Sequence, residues 1–181
     1  MSEFKSEQIA AIVEDAKSDF QSGSYKKAIN GFLTAHQFYL DQGDPLSAAE
    51  MANNLSVAYL QDKQNKKALE LVQGTDAIFE NAGDVLRQAT ALGNLGAALE
   101  ANKDLQNAAD AYQRSADLFE EIGEKEMRST VLKSLSAIHI RQGNQLESIS
   151  AMQKSLEGQE NLSFRERFLK RFLKLPFKFL K

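Results

Sequence analysis

Asn54-Leu55-Ser56-Val57-Ala58-Tyr59 is followed forty residues later by Asn94-Leu95-Gly96-Ala97-Ala98-Leu99. The same spacing runs outward in both directions. Gly43, Gly83 and Gly123 form one column, each followed by an acid, and Ala28, Ala68, Ala108 and Ser148 form a second. Leu55, Leu95 and Leu135 make a third. Ala16, Ser56, Gly96 and Ser136 are a column of small residues, and Phe32, Val72, Tyr112 and Met152 a column of large apolar ones. Five ungapped columns mark an internal repeat, the sequence signature of stacked supersecondary units.

Within each block the apolar residues follow the 3.6-residue helical period in two runs. In the second block Ala49, Ala52, Leu55, Val57, Ala58 and Tyr59 mark one helix, and Ala68, Leu69, Val72, Ala77, Ile78 and Phe79 a second, across a polar turn at Asp62–Lys66. The column glycines sit where a left-handed residue ends a helix, and the acids after them, or Pro45, suit the start of the next. Gly23 and Gly143 mark the turn inside the first and fourth blocks. No stretch alternates with period two. The small column predicts close contact inside a pair, Ser56 on Ala68 and Gly96 on Ala108, with positions 72 and 112 filling the seam to the next pair. A lone pair cannot bury both faces, so stacked copies share a continuous core. The expected fold is all-α: a solenoid of four helix-turn-helix repeats over residues 1–160, then a C-terminal amphipathic helix in 161–181. Asp15 and Asp19 stand where later copies carry Leu55 and Tyr59, as befits a terminal face with no neighbour to cover it.

The chain has 181 residues, no Cys and only two His, with 22 basic and 25 acidic residues. Absent thiols exclude a disulfide framework, a thiolate metal site and a Cys nucleophile. His36 and His139 lie in different repeats with no ligand partner at metal-binding spacing. Gly93-Asn94-Leu95-Gly96 lacks the Gly-Lys-Ser/Thr ending of a phosphate loop and falls inside a helix. The expectation is therefore no cofactor, no metal and no enzymatic activity. The acidic body also argues against nucleic acid. Met1-Ser2-Glu3-Phe4-Lys5 opens no apolar run of signal-peptide length, and no window reaches the ~18 apolar residues of a membrane span. A cytoplasmic chain is expected.

The run Asn54–Tyr59 with Ala68 and Val72, and Asn94–Leu99 with Ala108 and Tyr112, resembles the tetratricopeptide repeat. The forty-residue period with Gly-Asp between repeats is similar to the longer variety of kinesin light chains and Leu-Gly-Asn-repeat adaptors. The resemblance covers about residues 6–160. It implies a right-handed solenoid, TPR-like throughout, that binds a protein or peptide in a concave groove lined by the first helices. Carried over by position, that groove shows Glu14 and Lys17, Asn53 and Asn54, Asn94 and Glu100, then Lys133 and Arg141. Asn amides suit it because they both donate to and accept from an extended backbone. The carboxylate clamp of the family's chaperone adaptors is matched only by Asn54. Val13 stands at its first Lys, and Thr90 and Asn94 at its third-repeat pair.

The tail differs sharply in composition. Residues 161–181 hold seven basic residues and one acid, and five of the eleven Phe, whereas the first 160 hold fifteen basic and twenty-four acidic residues. Ser163 and Glu166 read as a capping box. On a helical projection Phe164, Phe168, Leu169, Phe172, Leu173 and Leu175 share one half, while Glu166, Arg167, Lys170, Arg171 and Lys174 share the other, Arg165 alone intruding. Pro176 ends the helix before Phe177, Lys178 and Phe179. A basic face opposite a Phe-rich face is the pattern of a helix lying in an anionic membrane interface, here the inner face. Two other readings stay open: a capping helix over the fourth repeat, as in a soluble assembly factor or co-chaperone, and docking on a partner or a second copy.

Overall fold

The computed structural model describes residues 6–157 and 162–173, without the side chains of Phe172 and Leu173. Ten helices occupy them: α1 (Ser6–Gln21), α2 (Tyr25–Asp41), α3 (Pro45–Gln61), α4 (Asn65–Val72), α5 (Thr75–Asn81), α6 (Val85–Ala101), α7 (Leu105–Glu121), α8 (Lys125–Gln142), α9 (Gln145–Ser155) and α10 (Phe164–Leu173). No strand occurs among the described residues. Helices α1/α2, α3/α4–α5, α6/α7 and α8/α9 form four helix-turn-helix pairs, stacked in chain order as a right-handed solenoid, with α10 beyond them.

Local chemistry sets the helix ends where the repeat places them. Asp44 accepts the Ser47 N–H at 3.1 Å and Asp84 the Arg87 N–H at 2.9 Å, each satisfying a donor that the first turn leaves unpaired. The Ser47 hydroxyl and then its N–H hold the Asp44 carboxyl below the ordinary Asp range, and the Arg87 N–H and then its guanidinium do so for Asp84. Pro45 occupies the first turn of α3, where its missing N–H costs nothing. Glu124, the third acid of the column, precedes α8 without a side-chain cap bond. Gly43, Gly83 and Gly123 are left-handed, at φ +68°, +69° and +75°, and the following N–H turns back into the helix, as from Asp44 to the Tyr39 carbonyl at 2.9 Å.

The second helix of the second pair departs from its expected continuity. Apolar residues from Ala68 to Phe79 mark a single helix, but the backbone is interrupted into α4 and α5 at Gly74, which takes φ +83°. The forty-residue register survives the break, so nothing is inserted. The fourth pair ends at Ser155 in α9, and Gly158 lies outside the described residues.

Small residues bring paired helices together. A Cβ on Gly31 would stand 2.8 Å from the Ala16 Cβ, and in the fourth pair the Ser136 hydroxyl lies 2.9 Å from the Ser148 carbonyl, the equivalent of Ser56 facing Ala68. In the third pair the ring of Tyr112, rather than Ala108, lies nearest Gly96, where an added Cβ would meet it at 2.7 Å. Tyr112 thus packs within its own pair as well as in the expected seam, where its phenol lies within reach of Ser134 on α8, and it donates to Glu100 at 3.2 Å. Burial raises the phenol's pKa, and Glu100 raises it further. One apolar cluster joins the first two pairs and reaches Ala98, and a second joins the last two. Ala49, Phe79 and Ala91 form a small cluster between them.

Candidate functional site

Helices α3 and α6, the first helices of the second and third pairs, lie side by side. The cleft along them has a volume of about 420 Å³ and is lined by Glu50, Asn53, Asn54, Phe79, Asp84, Leu86, Arg87, Thr90 and Asn94. Arg87 forms one wall. It donates to Asp84 at 2.7 Å and to Glu50 at 3.3 Å, and its guanidinium stands 5.2 Å from the centre of the Phe79 ring. This network spans both pairs, fixing a charged rim beside the apolar floor.

The three asparagines of the cleft differ in what they have left to offer. Asn53 is 7% exposed, and its amide is committed internally: Nδ2 donates to the Ala49 carbonyl at 2.9 Å and to Thr75 Oγ1 at 3.0 Å. Asn94 Nδ2 donates to Asn53 Oδ1 at 3.1 Å. Asn54, half-buried on the same helix, makes no side-chain hydrogen bond among the described residues. Elsewhere on the first helices, Glu14 and Lys17 pair with each other at 2.8 Å within α1. Glu100 and Arg141 pair at 2.6 Å across the third and fourth repeats. The structure therefore gathers Asn53, Asn54 and Asn94 into one cleft, joins Glu100 to Arg141, and leaves the α1 pair apart from both.

Lys133 of α8 contacts the C-terminal helix, donating to Glu166 at 2.7 Å. Glu166 also closes the capping box that the sequence predicts: it accepts the Ser163 N–H at 2.9 Å, while its own N–H reaches Ser163 Oγ at 3.3 Å. Lys133, then the Ser163 hydroxyl and N–H, hold the Glu166 carboxyl down at about 2. On α10 Phe164 is 80% and Phe168 68% exposed. Arg165, Arg167 and Arg171 are exposed and Lys170 half-buried. Lys174, Phe177, Lys178, Phe179 and the Phe172 side chain lie outside the described residues. Among the described residues no helix is long and apolar enough to cross a membrane, and no cluster of His or acidic residues could hold a metal ion.

A family model of the tetratricopeptide repeat matches residues 87–161, the third and fourth helix pairs. The third and fourth helix pairs are tetratricopeptide repeats. No curated protein matches it in sequence. Among solved structures, the whole four-pair array is similar to a putative kinesin light chain with nearly identical TPR-like repeats from Podosopora anserina, at 16% identity and a TM-score of 0.76 over 92% of this chain and 85% of that one. It is similar also to BtubC (BKLC) from P. vanneervenii, at 16% identity and a TM-score of 0.72 over 92% and 70% of the two chains. A third is MamA of RS-1, an ArsTM double mutant, at 17% identity and a TM-score of 0.66 over 95% and 80%. At these identities the likeness is one of fold.

Two cleft residues of the array escape a reading of the sequence. Glu50 and Arg87 stand 37 positions apart, off the forty-residue columns, and meet only because neighbouring pairs stack. Thr75 is different. It belongs to a further column of small buried residues, Ala35, Thr75, Ser115 and Ser155, that the repeat itself could reveal.

Proposed function

We propose that this protein is a non-enzymatic scaffold that holds an extended peptide or protein segment against α3 and α6. The observation that carries this reading is the unpaired Asn54 amide on the wall of a 420 Å³ cleft, beside Asn94 and the exposed Leu86. An amide that both donates and accepts meets the repeating N–H and C=O of any extended chain, so it binds backbone whatever the side chains. Glu100, Arg141 and Lys133 continue the groove toward the fourth repeat, and Glu14 and Lys17 begin it. In this reading residues 1–160 are the binding array and 161–181 a separate tail.

The tail brings the array to an anionic membrane surface, on the cytoplasmic side. The solvent-exposed Phe164 and Phe168 support this, since packing α10 as a simple cap would cover them. Seven basic residues in the tail add about 1 kcal/mol each near an anionic leaflet. Flotation with anionic vesicles tests it: the full chain should float at low salt, and Phe164→Glu with Phe168→Glu should leave it in solution. Wild-type protein that ignores such vesicles overturns the membrane reading. The second reading, a soluble assembly factor or co-chaperone whose tail caps the array or joins two copies, is favoured by the Lys133–Glu166 tie. Under it the same double change lowers the melting temperature instead. For the groove, Asn54→Ala should weaken peptide binding while leaving the melt nearly unchanged, as a half-exposed unpaired residue allows.

A further inference from the structure

We propose that Asn53, clamped by the Ala49 carbonyl and the Thr75 hydroxyl, is a positioning residue for the cleft: it turns the carbonyl oxygen of Asn94 away from its neighbour, so the cleft meets its partner there with an acceptor and takes an N–H donor. The proposal deepens the groove reading above and rests on it.

Backbone carbonyls only accept, so they fix the direction of every bond that ends on them. Two such anchors bracket this network. Asn53 has one side-chain terminus 2.9 Å from the Ala49 carbonyl, which identifies that terminus as the amino group. The hydroxyl of Thr75 lies 2.8 Å from the Val72 carbonyl and has one proton, which goes there. It can then only accept from the Asn53 amino group, 3.0 Å away. Both constraints select one orientation of the Asn53 amide. Its oxygen faces Asn94, at 3.1 Å, and must be met by the Asn94 amino group. The Asn94 oxygen is left unpaired on the cleft wall.

The third repeat supplies an internal control. There Gly93 stands at the column of Asn53 and Ser115 at the column of Thr75. With no side chain between them, Ser115 donates directly to the Ala89 carbonyl at 2.6 Å, the equivalent of Ala49, and α7 runs unbroken. In the second repeat Asn53 is inserted between hydroxyl and carbonyl. The hydroxyl turns instead to Val72, the last residue of α4, where the left-handed Gly74 interrupts the helix. The break in the second helix and the orientation of an amide in the cleft are thus two ends of one hydrogen-bonded chain. Thr75 itself is 4% exposed and touches no part of the cleft surface that a partner could reach.

The test uses the full chain and two variants, Asn53→Leu, which keeps the bulk without the amide, and Thr75→Ser, which keeps the hydroxyl that clamps it. By NMR, exchange of the Asn53 and Asn94 side-chain amino protons should be slowed in the wild type and in Thr75→Ser, relative to Asn54. In Asn53→Leu that protection should be lost at Asn94. The binding probe is a nonapeptide selected against the full chain from a random display library, with each backbone N–H methylated in turn. One methylation should weaken binding about 3- to 10-fold, the worth of one hydrogen bond, in the wild type and in Thr75→Ser. The same methylation should cost nothing in Asn94→Ala, and less than in the wild type in Asn53→Leu, where the freed Asn94 amide can turn either group to the peptide. An Asn94 amino group that exchanges as fast as that of Asn54 overturns the proposal, as does a methylation profile that Asn53→Leu leaves unchanged. Peptide binding that ignores Asn54→Ala and Asn94→Ala overturns the groove reading, and with it the donor requirement; the exchange data then still decide the orientation of the amide.

Discussion

At positions 23 and 143 the turn within a helix pair is made by glycine; at the equivalent positions 63 and 103 it is made by lysine. All four backbones are left-handed, Lys63 at φ +61° and Lys103 at φ +69°. A side chain there crowds its own carbonyl by about 1–2 kcal/mol, part of which glycine would give back through its freer unfolded chain. Lys103→Gly should therefore raise stability by about 0.5–1 kcal/mol, read as a higher urea midpoint with an unchanged slope. The same positions show why the residue scale is only partly legible. Gly23 and Gly143 announce their turns, whereas Lys63 and Lys103 adopt them because the flanking helices leave no other path. In the cleft Asn54 is legible, since its column repeats as Asn94. The engagement of Asn53 is not, because its partner Thr75 lies 22 positions away on another helix.

Helix pairing follows the small column, and it can be challenged there. Ala108 is fully buried, so Ala108→Leu should overpack the third pair and cost about 1–3 kcal/mol, seen as a lower melting temperature. The large column was legible as apolar and seam-facing, as the reach of Tyr112 to Ser134 on α8 shows, but not in its second contact: the ring also lies over Gly96, because glycine leaves room for a ring that a methyl would displace. At the far end α10 is fixed by charge and capping. Glu166 titrates at about 2, below its ordinary value of 4.5. A depressed carboxyl stabilises its folded contacts above the ordinary value and loses that contribution as pH falls through the folded one. The Lys133–Glu166 contact should thus hold at pH 5 and loosen progressively from about 4.5 to about 2. The carboxyl ¹³C shift of Glu166 would follow this, and Lys133→Ala should move its midpoint upward, because Lys133 is the largest cause of the depression.

At the scale of the molecule, the fold was legible because a forty-residue column survives any single substitution, and four copies repeat the same packing problem. The site was less so. Its walls come from neighbouring pairs, and residues such as Glu50 and Arg87 acquire meaning only once stacking brings them within 3.3 Å. The abrupt change of composition at about residue 161 does show in the sequence, yet only the exposure of Phe164 and Phe168 separates an outward-facing helix from a packed cap. The junction between the second and third pairs has a mechanical consequence. It is tied by amides: Asn65 donates to the Ala101 carbonyl at 3.0 Å, Asn102 to the Asn65 carbonyl at 2.8 Å, and Asn94 to Asn53. The first two pairs instead meet through buried aliphatic and aromatic groups. Hydrogen bonds weaken steeply with small changes of length and angle, while apolar packing tolerates lateral slip. Under tension along its axis, the array should therefore bend first between its first two pairs and keep the width of the cleft between α3 and α6 nearly constant. It would act as a spring with a rigid jaw at its middle.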